Sequence, residues 1–423
     1  MSGTSKNRKT LTLRIVIGMV AGAAIGLLLN AVGVQGFIDE FIVGGLLHVG
    51  GAIFLASLKL LVVPLVFVSL VCGTAALEDI TKLSRIGGKT VGLYLVTTAI
   101  AISLALLAAI AVSPGAGFDL VSDASFSVKD PPSLADTFIH LFPTNPIQAM
   151  AEGNMLQIIV FSGLFGLALT LAGDPGKRVL GLFSDLNEVV LKLVMVLMEF
   201  APYGVFCLIA KVFALQGFGA IGPLVAYFSV VLGVLLVHAL VSYPLMLRGL
   251  AGLSPRVFLR NMRAPLTLAF STASSNATIP VTLETAEHRL GVDNSIASFT
   301  VPLGATINMD GTAIMQGVAT AFIAQAYGIE LGMGDLVTVV VTATLASIGT
   351  AGVPGVGLIM LAMVLRQVNL PVEGIGLIIG VDRLLDMART AVNVTGDATV
   401  TCIVAKSEGQ LDSQVFYADN VPT

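Results

Sequence analysis

The chain has 423 residues, of which 56% are hydrophobic and only 11% are charged, against about 25% charged in ordinary soluble domains. That balance excludes a soluble globular protein and marks an all-α integral membrane protein. A net charge of -4 also argues against a nucleic-acid partner.

Apolar runs occur near 11–33, 41–76, 89–113, 154–173, 188–215, 221–247, 294–328 and 374–405. Each can cross a roughly 30 Å hydrocarbon core as a helix. Pro64 predicts a kink in the second. The first follows Lys6, Arg8 and Lys9, as a signal peptide would, but it is too long for the apolar stretch of one and has no clear cleavage site. It is expected to be a retained helix. The basic residues recur in alternate loops: Lys82, Arg85 and Lys89, then Lys177 and Arg178, then Arg248, Arg256, Arg260 and Arg263. Those loops should face the cytoplasm, with both termini, in the inner membrane. The segment 114–138 carries Asp119, Asp123, Asp130 and Asp136 against Lys129 alone and suits the outer side. Cys72, Cys207 and Cys402 lie in apolar runs without metal-ligand spacing and are expected to be packed thiols.

Two later segments are irregular. From Ala264 to Thr285 the centre reads STASSNATIP, too polar for a lipid-facing helix, and from Leu336 to Leu365 the centre reads GTAGVPGVG. Glycine and proline break a helix, and the freed backbone groups need partners that lipid cannot supply. Both segments predict helical hairpins dipping in from opposite sides, tips meeting inside protein. The alternative is two kinked spanning helices. Arg289 after the first segment, and Glu330 and Asp335 before the second, favour hairpins. Between them runs Asn294 to Ile329, whose only charged residue is Asp310, within GATINMDGTA. Gly304, Thr306, Asn308, Asp310, Gly311 and Thr312 suit an unwound helix offering carbonyls and a carboxylate to a hard cation. All-oxygen donors point to Na⁺. The plainer possibility is a kinked helix with Asp310 paired to a structural partner.

In the last run Asp382, Asp386, Arg389, Asn393 and Asp397 are four, three, four and four residues apart. On a helix they share one stripe of roughly 80°. Charges inside a membrane turn toward protein or a watery cavity, so the stripe marks a binding site. A plainer account is an intrahelical Asp386–Arg389 ion pair. Two other classes stay open: a membrane enzyme holding Mg²⁺ and a diphosphate on Asp382 and Asp386, and a passive ion channel.

STASSNATIP, NMDGT at 308–312, GTAGVPGVG at 349–357 and DMARTAVNVTGD at 386–397, in that order, resemble the glutamate transporter family, the dicarboxylate/amino acid:cation symporters, over residues 10–408. The resemblance implies a transporter and not an enzyme, with no cofactor. It implies eight transmembrane helices and two re-entrant helical hairpins, inverted repeats and an elevator-type secondary transporter in a homotrimer. Residues 10–250 would hold helices 1–6, mostly scaffold and trimer contacts, with helices 3 and 6 joining the transport domain. Residues 256–408 would be the transport core: hairpin one, helix 7, hairpin two and helix 8.

The resemblance also implies roles. Asp386 would bind a substrate α-amino group and Arg389 a side-chain carboxylate, which favours L-aspartate or L-glutamate. Thr390, Asn393, Thr312, Ser274, Ser275 and the hairpin-two backbone at Val353 and Gly357 would complete the substrate site. One cation would take the carbonyls of Gly304, Asn308 and Asn393 with the Asp397 carboxylate. A second would take Asp310 and Asn308 with Tyr94, Thr97 and Thr98. A third would take carbonyls at Thr306, Ser347, Ile348 and Thr350. The chain departs from the family where relatives carry an arginine: Ala273 stands before the hairpin-one serines and Met387 after Asp386. Arg383 could stand in, or could snorkel to water. This departure leaves K⁺ counter-transport open, and H⁺ remains an alternative to Na⁺ because relatives include proton-coupled members. His48, His140, His238 and His288 fall outside the motifs, so a proton route is expected to use carboxylates.

Overall fold

The computed structural model describes residues 3–75, 80–117, 142–348, 350, 352 and 354–418. The acidic stretch from Asp119 to Asp136 lies outside the described residues, as do Gly349, Ala351 and Val353. Among the described residues every regular element is helical, apart from one isolated bridge between Val292 and Leu411.

In chain order the helices are α1 (Gly3–Val32), α2 (His48–Ala75), α3 (Ile80–Val112), α4 (Pro146–Glu152), α5 (Met155–Leu171), α6 (Asp174–Met198), α7 (Ala201–Gln216), α8 (Ile221–Val237) and α9 (Tyr243–Ala251). They continue as α10 (Pro255–Asn261), α11 (Arg263–Thr272), α12 (Ser275–His288), α13 (Asn294–Ile307), α14 (Asp310–Ala326), α15 (Met333–Ser347), α16 (Val356–Gln367), α17 (Ile375–Ser407) and α18 (Ser413–Tyr417). Leu13–Val32, Ile38–Cys72, Arg85–Val112, Ala201–Gly219 and Ile221–Ala251 are long and apolar enough to cross a membrane. Their outer faces carry exposed Ile17, Leu28, Ile53, Leu60, Leu107 and Leu236, the surface that hydrocarbon wets.

Two apolar runs differ from expectation. The run 188–215 is not one helix: α6 begins at Asp174, and the chain breaks at Glu199–Phe200 before α7 starts with Pro202 in its first turn. Proline lacks the N–H that would continue the ladder, so it fits a helix start better than a helix interior. The run 41–76 begins inside a π-helical stretch, Ile38–Leu47, and α2 then continues through Pro64.

Helix α1 lies along α7 on a stripe of small residues. A methyl group at Gly22 would sit 2.7 Å from the Phe206 carbonyl oxygen, one at Gly26 2.5 Å from that of Ala210, and one at Gly18 against the Pro202 carbonyl. Backbones approach this closely only where side chains are absent, the usual device of membrane helix pairs. Gly22→Leu is expected to cost roughly 1–3 kcal/mol of stability through overpacking, seen as a lower melting temperature of the detergent-solubilised protein.

Both irregular segments are helix–turn–helix hairpins. In the first, α11 has 10 residues, so its length of about 15 Å cannot span a bilayer. Ala273 adopts the left-handed turn conformation at φ 49°, and Ser274 caps α12 by accepting from Ala277 N at 3.3 Å. The two ends of this hairpin are tied together where Asn261 Nδ2 donates to the Arg289 carbonyl at 2.8 Å. In the second, α15 and α16 pack on each other around a tip that ends at Gly355, with φ 87°. The tips meet: Ser274 Oγ donates to the Gly352 carbonyl at 2.8 Å, and Asn276 N donates to the same oxygen at 3.3 Å.

Helices α14 and α17 are buried along most of their length, because their polar side chains cannot face lipid. Helix α3 packs against α13, α14, α15 and α17. At the far end of α17, Glu408 accepts from Lys89 Nζ at 2.6 Å and from Arg85. Those hydrogen bonds, Lys89 first, hold its carboxyl below the usual range.

Candidate functional site

The helical period of α17 brings its charges together on one buried face. Arg389 is 1% exposed and meets two carboxylates of its own helix, Nη1 lying 2.9 Å from Asp382 Oδ1 and Nη2 2.8 Å from Asp386 Oδ1. The intrahelical Asp386–Arg389 pair is therefore present. Nη2 donates to Asp386 Oδ1 in good geometry, whereas the pairing with Asp382 is close but poorly aligned. Nε and Nη1 of Arg389 and Oδ1 of Asp382 have no hydrogen-bond partner of good geometry. A guanidinium presents its donors as a planar fork, and carboxylates seven and three residues back reach that fork from one side only. The second oxygen of Asp386 lies 3.3 Å from Arg383 Nη1. Arg383 thus turns toward the site and does not snorkel away from it.

The cluster is roofed by the second hairpin. A methyl group at Gly357 would lie 3.3 Å from Arg389 Nη2 and 3.4 Å from Nη1, so the guanidinium sits under the first turn of α16. Asp382, Arg383 and Asp386 line a cavity of about 30 Å³ with Gly355 and Leu358 of α16 and with Met198, Ala201 and Val205. That volume holds a water-sized group and not an amino acid.

The remaining expected substrate residues lie on the elements around this cluster. Asn393 Oδ1 accepts from Gly311 N at 2.7 Å, which docks the start of α14 on α17. Gly311 has to be small there, because its Cβ would lie 2.5 Å from the Arg389 carbonyl oxygen. Thr390 Oγ1 donates to the Asp386 carbonyl within its own helix, at 2.8 Å. Thr312, Ser274 and Ser275 are buried. Val353 lies outside the described residues.

The broken helix supplies the oxygen donors. Between α13 and α14 the chain unwinds at Asn308 and Met309. Asn308 Nδ2 donates to Asp397 Oδ1 at 2.9 Å and to the Asn393 carbonyl at 3.2 Å. Gly304 abuts the same carboxylate, since a methyl there would lie 2.6 Å from Asp397 Oδ1. Gly304, Asn308, Asn393 and Asp397 are therefore one cluster. Asp310, Asn308, Thr97 and Thr98 are another: Thr98 Oγ1 donates to Asp310 Oδ1 at 2.5 Å, and Thr97 Oγ1 to Asn308 Oδ1 at 3.4 Å. Tyr94 joins it through its backbone carbonyl, which lies 3.0 and 2.9 Å from Thr97 and Thr98 Oγ1 and shares each hydroxyl's single proton with the acceptors above, while its own hydroxyl donates to the Thr300 carbonyl at 3.0 Å. In the third expected set Thr350 N donates to the Ser347 carbonyl at 3.3 Å, but among the described residues no hydrogen bond ties Thr306 to these hairpin-two residues. The side chains of Thr306, Ser347 and Thr350 each bond within their own segment, and the backbone N–H of Ile348 bonds the Leu345 carbonyl.

Asp310 also has partners that the motifs did not reveal. Tyr243 OH donates to its Oδ2 at 2.8 Å, and His238 Nε2 lies 3.2 Å from the same oxygen. His238, set aside because it falls outside the motifs, is thus part of the polar centre. Its signal in the sequence is a histidine and a tyrosine five residues apart deep in an apolar run, a spacing that an α-helix does not bring to one face. Tyr227, fully buried with an unpartnered hydroxyl, packs its ring on Phe322 of α14 at 5.1 Å.

A broken helix, two hairpins touching at their tips and a buried, charge-balanced cluster beneath them are the parts of a secondary transporter. The sodium:dicarboxylate symporter family model matches residues 11–407. The chain belongs to that family, one of membrane transporters and not of enzymes. It is 38% identical over 426 residues to the proton/glutamate-aspartate symporter of Escherichia coli, covering 98% of this chain and 96% of the relative. It is 36% identical to the proton/sodium-glutamate symport protein of Bacillus caldotenax, with 96% of each covered. It is 32% identical to the C4-dicarboxylate transport protein of Rhizobium leguminosarum, covering 97% of this chain and 92% of that one.

Proposed function

We propose that this protein is a symporter of the inner membrane that carries L-aspartate or L-glutamate inward with Na⁺. The observation that carries the reading is Arg389, a buried guanidinium with two unaligned donors beside Asp382 and Asp386. A ligand bearing two carboxylates and an ammonium complements that set, because one carboxylate can accept from guanidinium donors that Asp382 and Asp386 leave unaligned, and Asp386 can take the amine. The names of the Escherichia coli and Bacillus relatives agree with an acidic amino acid. Na⁺ is favoured by the hydroxyl, amide and carbonyl oxygens gathered near Asp397 and Asp310, two buried carboxylates for which a cation offsets the cost of the charge.

The same proposal includes Ser274, Ser275, Thr312, Val353, Gly357, Thr390 and Asn393 as substrate contacts and the three cation sets as expected. It also includes the division into a scaffold and a moving core, an elevator-type motion, a homotrimer and cytoplasmic termini. Support for a sliding core comes from the seam between α1, α7, α8 and α17. That seam holds a cavity of about 430 Å³ lined by apolar side chains such as Met19, Phe213, Leu224 and Leu377, contacts that fix no register. The trimer rests on the family likeness.

The test is uptake of labelled L-aspartate into proteoliposomes. Concentrative uptake driven by an inward Na⁺ gradient is expected. Uptake driven only by a proton gradient would remove Na⁺ and leave the substrate reading, and uptake of succinate without aspartate would remove the amino acid.

A further inference from the structure

The chain between α8 and α9 is π-helical over His238–Ser242. In a regular α-helix, residues five apart point roughly 140° away from each other. The wider turn brings His238 and Tyr243 onto one side, with ring centroids 4.4 Å apart and planes at 64°. Single π-turns of this kind break the α-ladder at a cost and recur at functional sites. Here the turn delivers two polar side chains, both essentially unexposed, to one oxygen of Asp310.

Asp310 itself stands at the start of α14, where the unwound Asn308–Met309 pair releases it from the preceding helix. Its two oxygens have a division of labour. Oδ1 accepts from Thr98 of α3, and Oδ2 accepts from Tyr243 and His238. Because a carboxylate can only accept, the histidine proton sits on Nε2, which leaves Nδ1 without a partner, as observed. Tyr243 reaches further. A methyl group at Gly396 would collide with its hydroxyl and would lie 2.5 Å from Asn308 Nδ2. The tyrosine therefore packs into the gap that connects Asp310 with the Asn308–Asp397 cluster.

We propose that His238 and Tyr243 are positioning residues. They hold Asp310 in the orientation from which, with Thr97, Thr98 and Asn308, it receives the coupling cation, and they set how much cation the transporter needs. The inference rests on the Na⁺-coupled reading above. A carboxylate fixed by two donors behind it presents its remaining lone pairs without first reorganising, and this preorganisation makes cation affinity sensitive to groups that never touch the cation.

The experiment is calorimetric titration of L-aspartate into the purified wild type, Tyr243→Phe, His238→Leu and His238→Gln across a series of Na⁺ concentrations. A hydrogen bond to a charged group predicts a rise of about 10-fold or more in the Na⁺ concentration that gives half-maximal aspartate affinity, in both Tyr243→Phe and His238→Leu. At saturating Na⁺ the aspartate Kd should stay within about 3-fold of wild type, since neither group is placed on substrate. Glutamine, which restores an N–H donor, should recover most of the shift.

Losing the His238 side chain could also prevent folding, and Tyr243→Phe, which removes one oxygen, then carries the test. A merely structural role lowers the melting temperature and leaves the Na⁺ dependence where it was. An unshifted Na⁺ dependence in a folded Tyr243→Phe protein, or a glutamine variant as impaired as leucine, overturns the inference alone. A wild-type protein whose aspartate affinity ignores Na⁺ overturns the sodium reading and this inference with it.

Discussion

Replacing Arg389 with cysteine is expected to abolish uptake of acidic amino acids, with a loss of aspartate affinity of about 100-fold or more. The magnitude follows from burial. Arg389 is 1% exposed and pairs with Asp382 and Asp386, so its loss removes the carboxylate fork and leaves the buried Asp382 without its cationic partner, while Asp386 keeps Arg383. Breaking one partner out of a buried ion pair typically costs about 3–5 kcal/mol, so the melting temperature should fall as well. Arg389→Lys separates the two effects. It keeps the charge, so stability is mostly retained, but an ammonium cannot present two parallel donors, and aspartate affinity should still drop. The cysteine variant, with room above Asp386, is expected to admit neutral amino acids. Unchanged aspartate affinity in a folded Arg389→Cys protein would contradict the assignment.

The second large effect is expected at Asp397, and its sign differs between activity and stability. The carboxylate is 2% exposed, accepts from Asn308 Nδ2 at 2.9 Å and lies against Gly304. No cationic side chain is paired with it among the described residues. A buried charge with only an amide to satisfy it is held at a cost unless a cation joins it. Asp397→Asn removes the charge and keeps the shape. Uptake driven by Na⁺ should therefore fall by about 10-fold or more, while the melting temperature in Na⁺-free buffer should rise. Measuring both in one preparation separates a cation ligand from a packing residue, for which the asparagine variant would be neutral or less stable.

The sequence made the stripe on α17 readable because all five of its polar residues follow the helical period, and the folded helix has only to be regular for them to converge. The hairpins were readable for the opposite reason. Glycine, proline and hydroxyl residues in the middle of apolar runs are costly in lipid unless the backbone turns inside protein, and the Ser274–Gly352 contact is where it does. Asp310 shows where such reading ends. Its donors come from α3, which carries Thr98, and from the π-turn after α8, which carries His238 and Tyr243. A π-turn leaves no periodic trace, so the histidine looked like one of four scattered residues. Arg383 was ambiguous because a side chain of that length can reach water or Asp386 from the same Cα, and only the packed neighbours decide between them. The break between α6 and α7 is hard to read because Glu199 is one charged residue in a largely apolar run, and only Pro202 after it marks the new helix start.

Asp382 acquires a clearer duty than its place at the edge of the stripe implied. With Asp386 it keeps the guanidinium paired, and its own Oδ1 is left without an aligned donor. On the proposed reading, a substrate carboxylate that offers two well-directed oxygens would compete with Asp382, an internal partner of poor geometry.

The central claim is that the cluster beneath the hairpin tips recognises an amine and two carboxylates together. Its most direct test is calorimetric titration of the purified wild type, in Na⁺, with L-aspartate, L-glutamate, succinate and L-alanine. Aspartate or glutamate should bind at least about 100-fold more tightly than succinate, which lacks the amine for Asp386, and than alanine, which lacks the carboxylate for Arg389. Succinate binding as tightly as aspartate, or alanine doing so, would contradict it.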